Sequence, residues 1–176
     1  MCLVLNALLV ARAHCCWVRR CAQPTTPGLS YTSFTLGHGP AGNPATLDNA
    51  NASNSVTFAA TITNTGKVAG TETIFGFFSP PAGSEHANPS GPDRMALQRQ
   101  LFDFEKVALE PGQSATVTLS VDVDTLVLID AEGSRTSTPG LYPVTLSRGS
   151  DRASDIAASV QLTGEPRVLE RLPAGL

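Results

Sequence analysis

Two segments of this chain alternate apolar and polar side chains without a fault. Residues 114–124 carry an apolar side chain at every second position, and these are Ala115, Val117, Leu119, Val121 and Val123. Residues 56–64 follow the same rule, with Val56, Phe58, Ala60 and Ile62 on one face. A period of two residues is what a β-strand with one buried and one solvated face requires. Both segments are therefore predicted strands.

Four other segments are predicted strands on weaker patterns. Residues 31–36 are short and rich in aromatic and β-branched side chains. Residues 72–79 are apolar on both faces, which is typical of a strand that is central in a sheet or covered by another element. Residues 142–146 and 156–162 each place apolar side chains at alternate positions near the end of the chain. With the two regular strands, these segments indicate an all-β chain.

One more predicted strand lies within residues 97–109, and its alternation is interrupted. Its expected anchors are Phe104, Val107 and Leu109. Because the first two anchors are three residues apart, strict alternation fails between them. A β-bulge near Glu105 and Lys106 would restore the register.

The segments between the strands carry the chemistry of turns and loops. Pro111 and Gly112 suit the central positions of a type II turn, and Gly66 suits a position of positive φ in a turn over residues 64–67. Residues 37–55 and 82–93 are predicted polar loops. About seven short strands, glycine and proline turns and no amphipathic helix predict an antiparallel, immunoglobulin-like β-sandwich.

Three phrases in a fixed order carry a resemblance to a known family. They are GLSYTSF at residues 28–34, TNTGKVAG at 63–70 and LFDFEKVALEPGQS at 101–114. Their combination resembles the C-terminal fibronectin type III-like domain of glycoside hydrolase family 3, which contains β-glucosidases and β-xylosidases. The resemblance extends from residue 28 to about residue 162. The aromatic phrase that usually precedes residue 28 in that family is absent, and the region after residue 146 lacks a close match.

The resemblance implies a function without catalysis. In that family the nucleophilic aspartate lies in an N-terminal barrel and the acid/base carboxylate in or near a second α/β domain, so no catalytic residue is expected here. The chain is expected to be an accessory domain, a fragment of an enzyme that breaks down plant or microbial polysaccharide, with the catalytic domains of that enzyme as its partner. The alternative is a free-standing β-sandwich module for binding or adhesion that contacts a protein or a polysaccharide.

The expected domain organisation places the sandwich in residues 28–164. Residues 1–27 form an N-terminal extension, and residues 165–176 form an irregular tail. All four cysteines lie in the extension, at Cys2, Cys15, Cys16 and Cys21. The sandwich is therefore expected to fold by apolar burial and hydrogen bonding, without disulfide or zinc support.

The extension has three interpretations: a weak signal peptide, a spurious start from a truncated gene model, or a genuine cysteine-rich tail. Its apolar run, residues 3–11, is far shorter than the roughly 20 residues that span a bilayer. A signal peptide requires lysine or arginine before its apolar run, and none precedes this one. We expect no membrane span and a secreted, extracellular location.

Charge and candidate chemistry narrow the picture further. Charged residues make up 15% of the chain and the net charge is -3, with lysine and arginine scattered, so nucleic acid is not an expected partner. Asp122 and Asp124 share a strand face and could suggest an acid pair, as could Asp151 and Asp155, but all four are interpreted as solvated carboxylates. No cofactor or metal is expected, since the cysteine and histidine spacing matches no structural zinc site.

Two sets of residues remain as candidates for a role on the surface. The first is a set of aromatic residues expected to pack in the core or against a neighbouring domain: Phe75, Phe77, Phe78, Phe102 and Phe104. The second is Asn51, which begins the glycosylation sequon Asn51-Ala52-Ser53 in a polar loop.

Overall fold

The computed structural model describes residues 30–39, 45–51, 53–84, 96–130, 133–149 and 152–171. These residues form eleven strands and one turn of 3-10 helix, Arg152–Ser154. The strands are β1 Phe34–His38, β2 Ala45–Asp48, β3 Ser55–Asn64, β4 Gly70–Phe78, β5 Gln100–Leu109, β6 Ser114–Asp122, β7 Leu128–Ile129, β8 Arg135–Ser137, β9 Gly140–Ser147, β10 Ile156–Thr163 and β11 Arg167–Glu170. The expected extension, residues 1–27, lies outside the described residues.

The strands form two facing sheets and a small third one. The first sheet has the order β1-β3-β6 and the second the order β2-β10-β9-β4-β5. The third sheet, β11-β8-β7, is made of short strands. Neighbouring strands are antiparallel except β2 and β10, which are parallel. The predicted all-β sandwich is confirmed.

The core lies between the two larger sheets. The first sheet contributes side chains of β3 and β6 whose faces agree with the predicted alternation: Phe58, Ala60, Ile62, Val117, Leu119 and Val121. The second sheet contributes Leu47, Ile74, Phe78, Tyr142, Val144, Leu146, Val160 and Leu162. Removing this apolar surface from water is the main force that holds the sheets together.

Two short strands lie where irregular chain was expected. The predicted polar loop at residues 37–55 contains β2, whose Leu47 is completely buried. The predicted irregular tail from residue 165 contains β11, which pairs with β8. Both expectations were wrong because strands of four residues show almost no periodicity; their pairing comes from partners distant in sequence.

The bulge in β5 also lies elsewhere than expected. The pairing of β4 with β5 shifts between Gly76 and Phe77, opposite Phe102 rather than at Glu105. The ring of Phe102 lies over Gly76, where an added Cβ would be 2.4 Å from its Cζ atom. With this register Phe104 pairs with Phe75 and is exposed, so it is not a core anchor.

Glycines serve two different purposes in the turns around β3. Gly112 has φ of 76°, as the expected type II turn after Pro111 requires, and the Gln113 amide donates to the Glu110 carbonyl. A positive φ was also predicted for Gly66, but Gly66 is not among the described glycines that have one. It is needed because a Cβ there would collide with the side chain of Thr32 and the amide nitrogen of Ser33.

Tyr142 on β9 is a buried tyrosine with a fixed hydrogen bond. Its hydroxyl donates to the Thr138 carbonyl at 2.7 Å, across the corner that leads into β9. Its ring also lies edge-on to Phe78, with the ring centroids 6.0 Å apart. A tyrosine whose hydroxyl bonds a few residues back along the chain is typical of immunoglobulin-like sandwiches.

Tyr142 makes the stability of the domain sensitive to alkaline pH. Burial raises the pKa of Tyr142 to about 12 from an ordinary value of 10.0. The neutral phenol is therefore favoured in the folded state, and its contribution is complete below pH 10 and lost towards pH 12. We expect a loss of roughly 2–3 kcal/mol of unfolding free energy over that window.

The chain has two tyrosines, which provides a matched control. Tyr31 is 96% exposed, so Tyr31→Phe should leave the pH dependence unchanged. Tyr142→Phe should flatten it and, at neutral pH, cost about 1 kcal/mol through the lost hydrogen bond. Urea titrations at several alkaline pH values measure both effects. Equal pH profiles for the two variants would refute the role of Tyr142.

Candidate functional site

An aromatic patch lies on the outer face of the five-stranded sheet. It consists of Phe75 and Phe77 of β4 and Phe104 of β5. The ring centroids of Phe75 and Phe77 are 6.1 Å apart, and those of Phe75 and Phe104 are 6.5 Å apart. Alternation along β4 turns these two phenylalanines away from the core, and the pairing of Phe75 with Phe104 brings the third ring beside them.

The patch is partly open to solvent and carries a positive charge. The side chain of Phe104 is 59% exposed, and that of the neighbouring Leu101 is 45% exposed. The guanidinium carbon of Arg99 lies 4.4 Å from the centroid of the Phe77 ring. Such a cation–π contact leaves the edge of the guanidinium group able to donate hydrogen bonds. The patch therefore combines exposed apolar rings with a hydrogen-bond donor.

Two of the five expected aromatic residues are not part of this patch. Phe78 is only 1% exposed and lies in the core against Tyr142. Phe102 is partly buried, packs against the core and covers Gly76. Phe78 cannot contact a neighbouring domain, because its position in the strand turns it inward. The expectation of interdomain packing is therefore reduced to Phe75, Phe77 and Phe104.

The acidic pair considered from the sequence has local structural contacts. The Oδ1 atom of Asp122 accepts bonds from the Thr125 amide, at 2.7 Å, and from the Thr125 hydroxyl, at 2.5 Å. An Asp124 oxygen lies 3.5 Å from Arg167 in an exposed ion pair. Each carboxylate thus has its own partner. Asp122 stabilises the turn after β6, whereas Asp124 pairs at the surface with Arg167 of β11.

The other ionisable candidates are scattered. Asp155 has one buried carboxylate oxygen without a hydrogen-bond partner. His38 lies at the exposed end of β1. Asp151, His14 and His86 lie outside the described residues.

Arg148 is a partly buried charged residue whose role the sequence did not indicate. It follows β9 and donates from Nη1 to the carbonyl of Phe34 at 2.6 Å. The same nitrogen lies 3.8 Å from Glu72. Arg148 thus links β9 to the opposite sheet and to β4, which is a structural role.

Neither a metal site nor a membrane helix is found in the part of the chain that the structure describes. No group of three or more His, Cys, Asp or Glu side chains there could hold a metal ion. No helix in these ranges is long and apolar enough to cross a membrane.

Asn51 lies at an exposed turn after β2. Its Oδ1 atom accepts a bond from the Ser53 amide, and its Nδ2 group donates to Asn54, both at 3.2 Å. The residue is exposed at the surface. Glycosylation of Asn51 and secretion of the chain stay predictions.

Sequence reasoning missed two buried asparagines that organise loops. Asn49 donates to the Glu165 carbonyl and accepts from the Ser137 hydroxyl, joining three distant segments. Asn64 was assigned only to a turn, yet its side chain makes four hydrogen bonds. The Asn-Thr-Gly phrase was the only available signal for Asn64, and nothing in the local sequence marked Asn49.

Comparison with known protein families agrees with this fold. The family described as Fibronectin type III-like domain matches residues 86–150. The crystal structure of the β-glucosidase from Listeria innocua in complex with isofagomine superposes with a TM-score of 0.61 at 24% identity, over 78% of this chain and 17% of that one. The second comparison supports the fold alone.

Curated relatives are glycosidases that are much longer than this chain. A β-xylosidase of Formosa agariphila is 29% identical over 138 residues, which are 77% of this chain and 17% of the enzyme. A probable β-glucosidase I of Emericella nidulans is 37% identical over 99 residues, 56% of this chain and 11% of the enzyme. The resemblance to the fibronectin type III-like domain of glycoside hydrolase family 3 is confirmed. The chain spans less than a fifth of the length of these relatives.

Proposed function

We propose that this chain is a non-catalytic accessory module of a glycoside hydrolase that acts on β-xylosides or β-glucosides. The observation that carries the proposal is that the similarity covers most of this chain but only a small part of each related enzyme. The chain aligns over most of its own length with xylosidases and glucosidases, but with only 17% of the length of the Formosa agariphila enzyme. A module of this kind stabilises or orients the catalytic part and leaves the chemistry to it.

The arrangement of acidic residues supports a role without catalysis. Hydrolysis with retention needs two carboxyl groups about 5 Å apart across a sugar-binding cleft, one as acid and one as nucleophile. Asp122 and Asp124 instead hold a turn and an exposed ion pair.

We propose that the aromatic patch of Phe75, Phe77 and Phe104 contacts the catalytic part of the enzyme. A polysaccharide would need flat ring faces open to solvent, but Arg99 lies over the face of Phe77 and the rings are tilted by 30° and 37°. Aromatic residues and arginine are the side chains most enriched where two proteins meet. The patch therefore suits a protein surface better than a sugar chain.

Two measurements test the proposal. First, the purified chain should not hydrolyse aryl β-xylosides or β-glucosides at any pH. Second, this chain should replace the matching segment in the Formosa agariphila β-xylosidase with activity retained, and Phe75→Ala with Phe104→Ala should lower the midpoint of thermal inactivation of that hybrid.

A matched control and two contrary outcomes make the test decisive. Leu141→Ala removes another exposed apolar side chain from the same sheet, and it should leave the midpoint unchanged. Hydrolysis by the isolated chain, abolished by Asp122→Asn, would overturn the accessory function. An equal effect of the phenylalanine and leucine variants would overturn the assignment of the contact surface.

A further inference from the structure

One edge of the first sheet, β1-β3-β6, presents backbone amide and carbonyl groups towards the outside. In the described residues β6 lies at that edge and pairs with β3 alone. Successive amides of a paired strand point in opposite directions, so those of Thr118 and Ser120 both point away from β3. Unpaired amides in a row are a template on which another strand can pair.

Two carboxylates of β5 accept hydrogen bonds from these edge amides. The Ser120 amide donates to Asp103 at 3.2 Å, and the Thr118 amide donates to Glu105 at 3.4 Å. The second oxygen of Asp103 accepts the amide of Phe104 at 2.8 Å, which orients the carboxylate. The acids are two residues apart on β5 and the amides two apart on β6, so the spacings match.

The carboxylates of Asp103 and Glu105 thus accept hydrogen bonds that a fourth strand beside β6 would otherwise accept. β5 is itself the edge strand of the five-stranded sheet. The carboxylates thus bridge the two open edges on one side of the sandwich. Charged side chains directed at an edge are a known protection against edge-to-edge pairing.

We propose that Asp103 and Glu105 close the β6 edge against pairing with β6 of a second copy of this chain. β6 is suited to pair with itself in antiparallel orientation. With Thr118 opposite Thr118 across a two-fold axis, Val117 would lie opposite Leu119, so apolar side chains would face apolar ones. β6 is nine residues long and contains no proline that would prevent such pairing.

Hydrogen exchange of single amides tests the proposal on the chain itself. Asp103→Ala should accelerate exchange at Ser120 and leave Thr118 unchanged, while Glu105→Ala should do the reverse. An acceleration of about tenfold or more is expected, because each amide loses its acceptor. The amides of Val117 and Leu119 bond to β3, so their retained protection shows that the variants are folded.

Sedimentation velocity tests the consequence for association. The double variant Asp103→Ala with Glu105→Ala should form dimers as its concentration rises. The double variant Asp103→Asn with Glu105→Gln retains acceptor oxygens and should stay monomeric. Glu110→Ala removes an exposed charge just after β5 and controls for net charge. Unchanged exchange at Thr118 and Ser120 in the single alanine variants, or a monomeric double alanine variant, would overturn the proposal.

Discussion

Replacing Asn64 with alanine is expected to destabilise the domain by roughly 3–5 kcal/mol. The Oδ1 atom of Asn64 accepts from the Thr32 hydroxyl at 2.7 Å and from the Gly66 amide at 3.0 Å. Its Nδ2 group donates to the carbonyls of Val68, at 2.9 Å, and Leu109, at 3.0 Å. Both hydrogen-bonding groups of the side chain are therefore fully used.

The large effect follows from what the four partners lose. Asn64 is completely buried, and alanine would remove a hydrogen-bond partner from four polar groups in three segments of the chain. Each buried group left unsatisfied costs about 1–3 kcal/mol, reduced where water can enter. The segment before β1, the turn after β3 and the end of β5 are held by this one side chain, so their order depends on it.

Two other variants make this prediction specific, and urea titration followed by circular dichroism measures all three. Asn64→Asp can keep both accepted hydrogen bonds but cannot donate to the two carbonyls, so it too should be strongly destabilising. Thr63→Ala removes only an exposed bond to Ser114 and should cost less than about 1 kcal/mol. If Asn64→Asp were as stable as the natural chain, the two donated bonds would carry no weight.

Leu119→Ala is expected to cost about 2–5 kcal/mol, the range for a leucine truncated in a close-packed core. Leu119 is 1% exposed and lies opposite Phe58 in the pairing of β3 with β6. Removing its side chain loses apolar burial and leaves a cavity between the two sheets. The cost depends on how far the neighbouring side chains can fill that space.

The adjacent Thr118 provides the control on the other face of the strand. Its side chain is exposed, so Thr118→Ala should cost less than about 1 kcal/mol. The backbone amide that donates to Glu105 is unaffected by this substitution. Equal midpoints for the two variants in a denaturant titration would contradict the face assignment of β6.

The aromatic patch shows how far the sequence could identify a surface. Residue types alone selected Phe75, Phe77, Phe78, Phe102 and Phe104, because strands rich in phenylalanine face either a core or a partner. The alternation of β4 separates Phe78 from Phe75 and Phe77. Because β5 pairs regularly from Leu109 to Asp103 and its bulge lies at Phe102, Phe104 faces outward. That bulge lies at a close contact with Gly76, which no local pattern reveals.

The resemblance carried by three ordered phrases predicted the fold class and the relatives. The phrase TNTGKVAG is at the same time a motif and a structural unit, since Asn64 and Gly66 within it hold the first segment of the sandwich in place. The reason for the phrase was visible only in the structure. The predicted positive φ at Gly66 was wrong, and close approach to Thr32 is the physical cause instead.

What the sequence determined by itself was the set of long strands and the buried faces of β3 and β6. A period of two is a local property, so residues 56–64 and 114–124 indicated β3 and β6 before any contact was known. Tertiary structure alone decided the rest. β2 and β11 are strands because β10 and β8 pair with them, and Asp103 reaches the Ser120 amide across 17 residues of sequence. Such contacts depend on how the two sheets face each other, and no short window of sequence carries that information.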